Sequence, residues 1–297
     1  MQEYQYTYSF IIPHHNSPEL LNRCLDSIPK REDIQIIVVD DNSAEDKRPC
    51  IKRDDVEVIY IDAEHTKGAG RARNYGLKAA KGKWLLFADC DDYYNDGFLD
   101  VLDQYKDKDI DKDIDVLYFN YYFIDGQTNA SLPDNKLQIK IETYDESAIA
   151  ENYVRYQNNT PWSKMVNHAF VIRIGAFFEE VTNGNDVLFS LWIGNKAKCI
   201  AVSKERLYTY IKTQNSIGTK KQSVNDLMCR LTHIVKHNAF NNALGFHKWN
   251  GNPFVFVAAQ IKRMDVKSIF YFIYTILISI PNMIHHRNEW VNLILRK

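Results

Sequence analysis

Residues 84–92 read WLLFADCDD, an apolar run that ends in three carboxylates within four positions. The apolar part is typical of a strand buried in a sheet, whereas a buried carboxylate is unfavourable unless it is paired or bound to a metal ion. We therefore expect Asp89 and Asp91 at the open end of the strand, where side chains two positions apart face the same way. Two such oxygen ligands suit Mg²⁺ or Mn²⁺ together with a substrate's phosphates. A capped turn is the alternative interpretation.

The composition is that of an ordinary globular protein. The chain has 297 residues, 25% of them charged and 45% hydrophobic, enough for one large domain or a domain plus an appendage. Its 37 Lys and Arg nearly balance 38 Asp and Glu, which argues against nucleic acid as a partner. Five scattered cysteines without a CxxC pair fit a reducing compartment. The first residues lack a signal-peptide pattern, so we expect a cytoplasmic protein.

Apolar runs alternate with helical patterns in the first half of the chain. Strands are predicted at residues 10–13, 34–39, 56–61, 84–88 and 116–123, with helices at 17–28 and 70–81. Strands that are apolar throughout and separated by helices indicate an α/β fold with a mostly parallel, Rossmann-type sheet covered by helices. A Lys-Asp repeat at residues 106–115 is predicted to be a solvated helix end or loop.

Three of these strands end in a proline or in acidic residues at the edge where open parallel sheets bind ligands. These residues are Pro13, the pair Asp40 and Asp41, and the pair Asp89 and Asp91. On the same edge, residues 67–74 (KGAGRARN) combine glycines, a helix start and two arginines, Arg71 and Arg73, which suit an anionic ligand. Surface arginines are the alternative, and the third glycine of the dinucleotide fingerprint is missing.

In their order along the chain, these blocks resemble the family 2 glycosyltransferases, which have the GT-A fold. The matching blocks are residues 9–13 with Asn16, 24–28, 37–43, 70–76 and 82–92. A thinner match continues at residues 161–164, at Asn185-Asp186 with Phe189, and at 208–210 and 215–217. The resemblance implies a catalytic domain at residues 1–220, with a nucleotide-binding half up to about residue 125 and an acceptor half at about 126–220.

The resemblance implies inverting transfer of a hexose or N-acetylhexosamine from a nucleotide-sugar, in particular a UDP-sugar. The nucleotide pocket would be lined by Pro13, Asn16, Asp41 or its neighbour Asp40, Arg73 and Asp89. Asp91 would hold Mg²⁺ or Mn²⁺, which stabilises the charge that builds on the leaving phosphates. The acceptor implied is a glycan or a lipid-linked saccharide in cell-surface polysaccharide biosynthesis.

The resemblance also implies a catalytic base, the Asp of a Glu-Asp pair at a helix start. Here the pair reads Asn185-Asp186, so Asp186 keeps the base position and Asn185 replaces the usual acid. Without that acid, Asp186 lacks a like charge that would raise its pKa. A helix cap at Asp186 is one alternative. For the function of the chain, two other interpretations are a nucleotide-sugar-binding protein with weak or no transfer and, with less support, a nucleotidyltransferase.

Four further residues are secondary candidates. Trp162 and Lys164 either shape the acceptor site, since aromatic faces stack on sugars, or are a packed Trp and a surface Lys. Ser216 resembles the loop that closes over the donor, with an ordinary turn as the alternative. His233 is expected to be solvated or satisfied in the core.

The last part of the chain, residues 221–297, is predicted to be a helical appendage. Residues 224–244 form an amphipathic pattern, and the dense apolar run at 269–280 is shorter than the about 20 residues that a spanning helix needs. Residues 260–297 carry six Lys or Arg against two acids, which fits attachment to the inner face of the cell membrane. A helix docked on the catalytic domain or in a homo-oligomer is the alternative.

Overall fold

The structure, a computed structural model, describes residues 4–62, 68–106, 114–213, 223–262 and 264–295. Its strands are β1 (Tyr6–His14), β2 (Ile34–Asp41), β3 (Val56–Ile61), β4 (Gly82–Phe87), β5 (Tyr93–Tyr94), β6 (Val116–Asp125), β7 (Lys164–Asn167) and β8 (Ile200–Lys212). Its α-helices are α1 (Pro18–Asp26), α2 (Ala69–Ala79), α3 (Phe98–Lys106), α4 (Lys136–Glu142), α5 (Ala148–Gln157), α6 (His168–Ile174), α7 (Asn185–Lys196), α8 (Val224–Ala243), α9 (Pro253–Ile261) and α10 (Val266–Leu295).

The eight described strands form one mixed sheet in the order β3-β2-β1-β4-β7-β6-β8-β5. Strands β3, β2, β1 and β4 are all parallel to their neighbours, as the sequence predicts. Strand β7 is antiparallel to both β4 and β6, β8 is parallel to β6, and β5 is antiparallel to β8. The predicted α/β class, a sheet covered by helices with further helices at the C-terminal end, is confirmed.

The parallel half forms because β1, β2 and β4 are largely buried on both faces, whereas the outer strand β3 is partly exposed. All eight residues of β2 are buried between β1 and β3. Alternate residues enter different clusters: Ile11 and Phe87 pack under one face, and Phe10 and Leu86 under the other. Each such side chain contributes roughly 1.5–3 kcal/mol when it is fully buried. This half therefore fixes the edge at which β1, β2 and β4 end.

The structure corrects the position of β6 and the length of two elements. Residues 116–123 were expected in the parallel sheet, but β7 lies between β4 and β6. A four-residue strand is too short to show a period, which is why the sequence does not reveal it. The helix expected at 17–28 is Pro18–Asp26, and the strand expected at 84–88 begins at Gly82. Residues 107–113 of the Lys-Asp repeat lie outside the described residues.

The C-terminal helices pack on the sheet domain as well as on each other. Phe240 of α8 and Trp290 and Ile294 of α10 belong to the same buried cluster as the sheet. The last turns of α10 thus dock on the sheet domain. The predicted boundary at residue 220 falls in the segment 214–222, outside the described residues.

No single described helix is long and apolar enough to cross a membrane. The two parts of α10, Val266–Pro281 and Met283–Leu295, meet the criterion only together, and they are bent by 50° relative to each other.

Candidate functional site

The acidic turn after β4 contains one fully buried carboxylate, Asp92, and two partly exposed ones, Asp89 and Asp91. Asp92 is fully buried, and it accepts hydrogen bonds from Tyr208 Oη at 3.0 Å and from the Ile211 N–H at 2.8 Å. Burial, with Asp91 and Asp89 close by, raises the pKa of Asp92 well above its usual range. These contacts tie the turn to β8, so the role of Asp92 is to fix the turn.

Asp91 is the carboxylate that fits a divalent cation. Burial and the charge of Asp89 raise the pKa of Asp91 to about 6, and its neighbour Arg23 donates to the Asp91 backbone oxygen. A cation at this position would relieve the unfavourable burial of the charge. No three His, Cys, Asp or Glu side chains of the described ranges form a complete metal site. A bound Mg²⁺ or Mn²⁺ would therefore need a substrate's phosphate oxygens to complete its shell.

Arg73 links the acidic turn to the helix that carries the predicted base. Its guanidinium is almost completely buried, and it donates to Asp89 Oδ1 at 2.5 Å and to Asn185 Oδ1 at 2.7 Å. The Arg73 side chain also lies over the ring of Phe178, 5.4 Å from its centroid. Because planar guanidinium groups hold two acceptors at once, Arg73 sets the separation of Asp89 and Asn185.

Asp186 lies in the first turn of α7 and is not its N-cap residue. Helix α7 begins at Asn185 after Gly184, which has a φ of +71° and occupies the capping position, so the capping interpretation of Asp186 is wrong. Burial raises the pKa of Asp186 and the charge of Asp89 adds to this, while Arg73 counteracts it. A carboxylate with a raised pKa is a better general base.

Lys164 is not the surface residue of the sequence-based alternative. It is 0% exposed, and its Nζ donates to the Asn158 backbone oxygen at 2.9 Å, to Asn158 Oδ1 at 3.1 Å and to the Thr160 backbone oxygen. Ser190 Oγ of α7 lies 3.5 Å away. Burial lowers the pKa of Lys164 to about 7. Lys164 thus ties the loop around Asn158 to the helix of the predicted base.

Trp162 is a packed side chain. Its ring stacks on Tyr208 and Tyr210, with centroids 4.9 and 5.5 Å away, and Tyr210 stacks in turn on Phe123 at 5.3 Å. Tyr210 is partly exposed, and burial together with Asp92 and nearby acids raises its pKa to about 12. Tyr210 is therefore a partly exposed aromatic side chain near the acidic turn, whereas Trp162 is buried.

Both aspartates that end β2 are buried, and Asp40 is the one whose two carboxylate oxygens both accept hydrogen bonds. Asp40 is buried; its Oδ1 lies 2.6 Å from His14 Nδ1 and accepts from Ser43 Oγ at 2.6 Å, and its Oδ2 accepts from the Ser43 N–H at 3.1 Å. His14 Nε2 accepts from the backbone N–H of Ser17, at the start of α1. Asp40 thus shapes the turns after β1 and β2 from inside.

Asp41 is the one with spare hydrogen-bonding capacity. Its Oδ2 accepts from the Gly68 N–H at 2.6 Å, while its Oδ1 has no hydrogen-bond partner among the described residues. Pro13 is buried in β1, and Asn16 follows with a φ of +55° and accepts from the Ala44 N–H at 2.9 Å. Asp41 and Asn16 therefore remain the polar candidates for a nucleoside at this edge.

The segment before Asp186 is supported by α8, a contact that the sequence does not predict. Lys236 Nζ donates to Glu179 Oε1 at 2.7 Å, and the Glu179 N–H donates to the Asn185 backbone oxygen at 3.1 Å. His233 packs against Gly184 so closely that an added Cβ there would lie 2.5 Å from its ring. In the sequence, Lys236 is only a cationic residue on an amphipathic helix. That pattern does not indicate Glu179 as its partner.

Replacing His233 with Gln is expected to reduce the sensitivity of the fold to acid. Burial lowers the pKa of His233 to about 4, below its usual 6.5, so the unfolded chain binds more protons between these values. The free energy of unfolding therefore falls as the pH drops through this window, by about 2 kcal/mol at pH 5. Urea unfolding at pH 7 and pH 5 measures this loss. Equal losses in wild type and variant would contradict the assignment.

The site thus gathers most of the predicted residues. Arg73 joins Asp89 to the residue before Asp186, and Asp91 lies on the same turn as Asp89. Asp41 is held at the start of α2, and Asp40 is turned inward. Lys67, Ser216 and the predicted motif at residues 215–217 lie outside the described residues.

Comparison with known proteins identifies related sequences. The model of the family described as Glycosyl transferase family 2 matches residues 9–178. Glycosyltransferase GlyG of Streptococcus pneumoniae is 31% identical over 122 residues, which cover 39% of this chain and 40% of GlyG. Poly(ribitol-phosphate) beta-N-acetylglucosaminyltransferase TarS of Staphylococcus aureus is 25% identical over 212 residues, 68% of this chain and 35% of TarS. The matches span only 15 to 40% of the length of the first three curated relatives.

Solved structures share the fold. S. aureus TarS 1-349 in complex with UDP-GlcNAc superposes with a TM-score of 0.61 at 18% identity, over 97% of this chain and 81% of that one. Mannosyltransferase PcManGT from Pyrobaculum calidifontis, in complex with GDP-Man and Mn²⁺, has a TM-score of 0.54 at 14% identity, over 98% and 86%. At these identities the likeness concerns the GT-A fold alone.

Proposed function

The chain belongs to glycosyl transferase family 2, and on that premise we propose that it transfers a sugar from a nucleotide-sugar to a saccharide acceptor, with inversion. The observation that carries the proposal is the Arg73 bridge, which joins the acidic turn to the base helix through Asp89 and Asn185. The pathway we propose is cell-surface polysaccharide biosynthesis, with a glycan or lipid-linked saccharide as acceptor. The names of relatives that act on poly(ribitol-phosphate) support this.

The donor proposed is a UDP-sugar bound at the ends of β1, β2 and β4. Asp41, Asn16 and Pro13 would line the nucleoside side, and Arg73 with Asp89 would line the cleft towards the sugar. TarS 1-349, which shares the fold, was solved with UDP and with UDP-GlcNAc, which supports this choice. Relatives named as a beta-glucosyltransferase and a beta-N-acetylglucosaminyltransferase support a hexose or N-acetylhexosamine as the transferred group.

Asp91 would hold Mg²⁺ or Mn²⁺ against the donor's diphosphate. When bound, the cation would stabilise the negative charge that develops on the leaving diphosphate. The Mn²⁺ in the complex of PcManGT supports a divalent metal in this fold. The backbone of the turn is held independently of the metal, because Asp92 is bonded to β8.

Asp186 would remove the proton from the acceptor hydroxyl. As that oxygen forms its bond to the anomeric carbon, the bond from this carbon to the diphosphate breaks on the opposite side, which inverts the configuration in one step. Lys164 and Arg73 are the cations whose charges act on Asp186, and they would stabilise its ionised form before the proton moves.

The alternative of a binding protein with weak or no transfer is based on Asn185. Asn185 Oδ1 accepts a hydrogen bond from Arg73, which supports a positioning role for this amide that is compatible with transfer. A neutral amide leaves the Arg73 charge available to Asp89. We therefore favour transfer over binding alone.

UDP binding with and without Mn²⁺, measured by calorimetry, tests the donor site. We expect Asp91→Ala to weaken UDP binding by about tenfold or more in the presence of Mn²⁺ and to leave metal-free binding unchanged. Asp96→Ala, which removes an exposed acid five positions later, is the matched control and should bind like wild type. Equal affinity of Asp91→Ala and wild type with Mn²⁺ would refute the site. Turnover of UDP-sugars would then identify the transferred group.

A further inference from the structure

The outer face of α10 is an apolar surface that the described structure leaves open. Between Ser268 and Ile284 the sequence contains no Asp, Glu, Lys or Arg. The inner side packs on α8, where Phe272 is fully buried. The outer side is exposed and consists of Val266, Phe270, Tyr271, Ile273, Tyr274, Leu277, Ile278, Ile280 and Ile284, next to Phe254 and Val255 of α9. A helix that is apolar all round is normally covered on both sides, and an open apolar patch marks an interaction site.

The charges at the ends of this surface indicate its partner. Lys262 and Lys267 are exposed near its start, and Arg287 is partly exposed near its far end. Two acids lie near these ends: Asp265, which accepts hydrogen bonds from the Ser268 N–H at 2.9 Å and from its Oγ at 2.7 Å, and Glu289, which lies 3.1 Å from His285. Cations around an aromatic-rich apolar face suit the anionic headgroups of a lipid bilayer. A two-fold contact with a second copy would place cationic ends against each other.

The geometry of α10 favours lying on a bilayer over crossing it. Its apolar part, Val266–Pro281, extends for about 24 Å, short of the about 30 Å of a hydrocarbon core. The remainder turns away by 50° and is held by the sheet domain. There Trp290 and Ile294 are buried, and Asn195 Nδ2 donates to the Ile294 backbone oxygen at 3.1 Å.

We propose that the outer face of α10, with Phe254 and Val255, docks on the surface of an anionic lipid bilayer. The proposal rests on the proposed function, because a lipid-linked acceptor is the substrate that such docking would serve. Helix α8 joins the two sites: it packs against Phe272, and its Lys236 bonds to Glu179 in the segment that leads to Asp186. Docking therefore anchors the helix that supports the catalytic segment.

Co-sedimentation of the full chain with lipid vesicles tests the proposal. The vesicles are phosphatidylcholine alone and phosphatidylcholine mixed with phosphatidylglycerol. We expect wild type to bind the anionic vesicles and Leu277→Glu to bind them with an affinity at least about tenfold lower. Leu277 is 61% exposed, so the variant should fold. The matched control is Ile149→Glu, which places the same charge at a 68% exposed isoleucine on α5 and should bind like wild type.

Three outcomes would overturn the proposal. They are no binding of wild type to anionic vesicles, equal binding of Leu277→Glu and wild type, and a wild-type dimer in solution that Leu277→Glu dissociates, which would identify a second copy as the partner. UDP binding measured on the same samples separates this proposal from the proposed function. If wild type binds UDP but not anionic vesicles, docking alone is refuted, whereas vesicle binding by wild type without UDP binding supports docking and counts against the donor site.

Discussion

Replacing Asp186 with Asn is expected to lower kcat by about a thousandfold while changing the affinity for UDP with Mn²⁺ by less than about twofold. The amide has nearly the same shape as the carboxylate but cannot accept the proton of the acceptor hydroxyl. Donor binding is retained because the acidic turn and Arg73 do not contact the Asp186 side chain through a hydrogen bond in the described structure. Turnover of a UDP-sugar and calorimetry on one preparation measure both quantities.

The control for this variant removes a different acid from the same segment. Glu180 is exposed six positions before Asp186, and Glu180→Gln should turn over donor at close to the wild-type rate. Near-normal kcat in Asp186→Asn would exclude Asp186 as the base. A wild type that binds UDP but transfers no sugar to any acceptor offered would instead favour the binding-protein alternative.

Replacing Gly70 with Ala should lower the free energy of unfolding by about 3 kcal/mol and kcat by about a hundredfold. In an open helix the change would be favourable by about 1 kcal/mol, so the available space decides its sign. A Cβ at Gly70 would overlap the Glu179 backbone oxygen and lie 2.8 Å from Asn185 Cβ. Since Glu179 and Asn185 are bonded through their backbones and precede Asp186, the shift that relieves the overlap displaces the base.

Urea unfolding and turnover of Gly70→Ala should be compared with those of Gly175→Ala. Gly175 has a φ of +66° and no atom within 4 Å of an added Cβ, so the control isolates backbone strain from crowding. We expect it to cost about 1 kcal/mol and to leave kcat near the wild-type value. If Gly70→Ala were as stable and active as this control, the close approach of α2 to the base segment would be disproved.

The sequence predicts the parallel half of the sheet well because its signals are local. The strands of that half contain apolar runs of about four or five residues, and in β2 and β4 the run is followed by aspartates at one edge. Strand β7 gives no such signal, since its pairing with β4 depends on residues that are far away in the chain. The same applies to the C-terminal helices, whose contacts with Glu179 and Gly184 follow from the tertiary fold alone.

In the site as well, the sequence predicts which residue types are present but not which groups surround them. The run of three acids predicts a ligand site, but only the fold shows that Tyr208 and Ile211 donate hydrogen bonds to Asp92 and that Arg73 pairs with Asp89. Lysine is a residue type that is usually exposed, yet Lys164 is fully buried. Its ammonium group is satisfied by backbone oxygens of the loop that precedes β7. A sequence lists charges, whereas the partners that keep them buried come from distant segments.

The insertion of β7 between β4 and β6 has a consequence for synthesis on the ribosome. Leu86 of β4 pairs with Met165, about 80 positions later in the chain. At about 5–20 residues per second, β4 leaves the ribosome roughly 4–16 s before its partner. During that interval the nascent chain can form the four parallel strands, but one edge of them stays unpaired and can associate with other chains. We therefore expect newly made chains to depend on chaperones at this stage, and chains that end before residue 164 to aggregate.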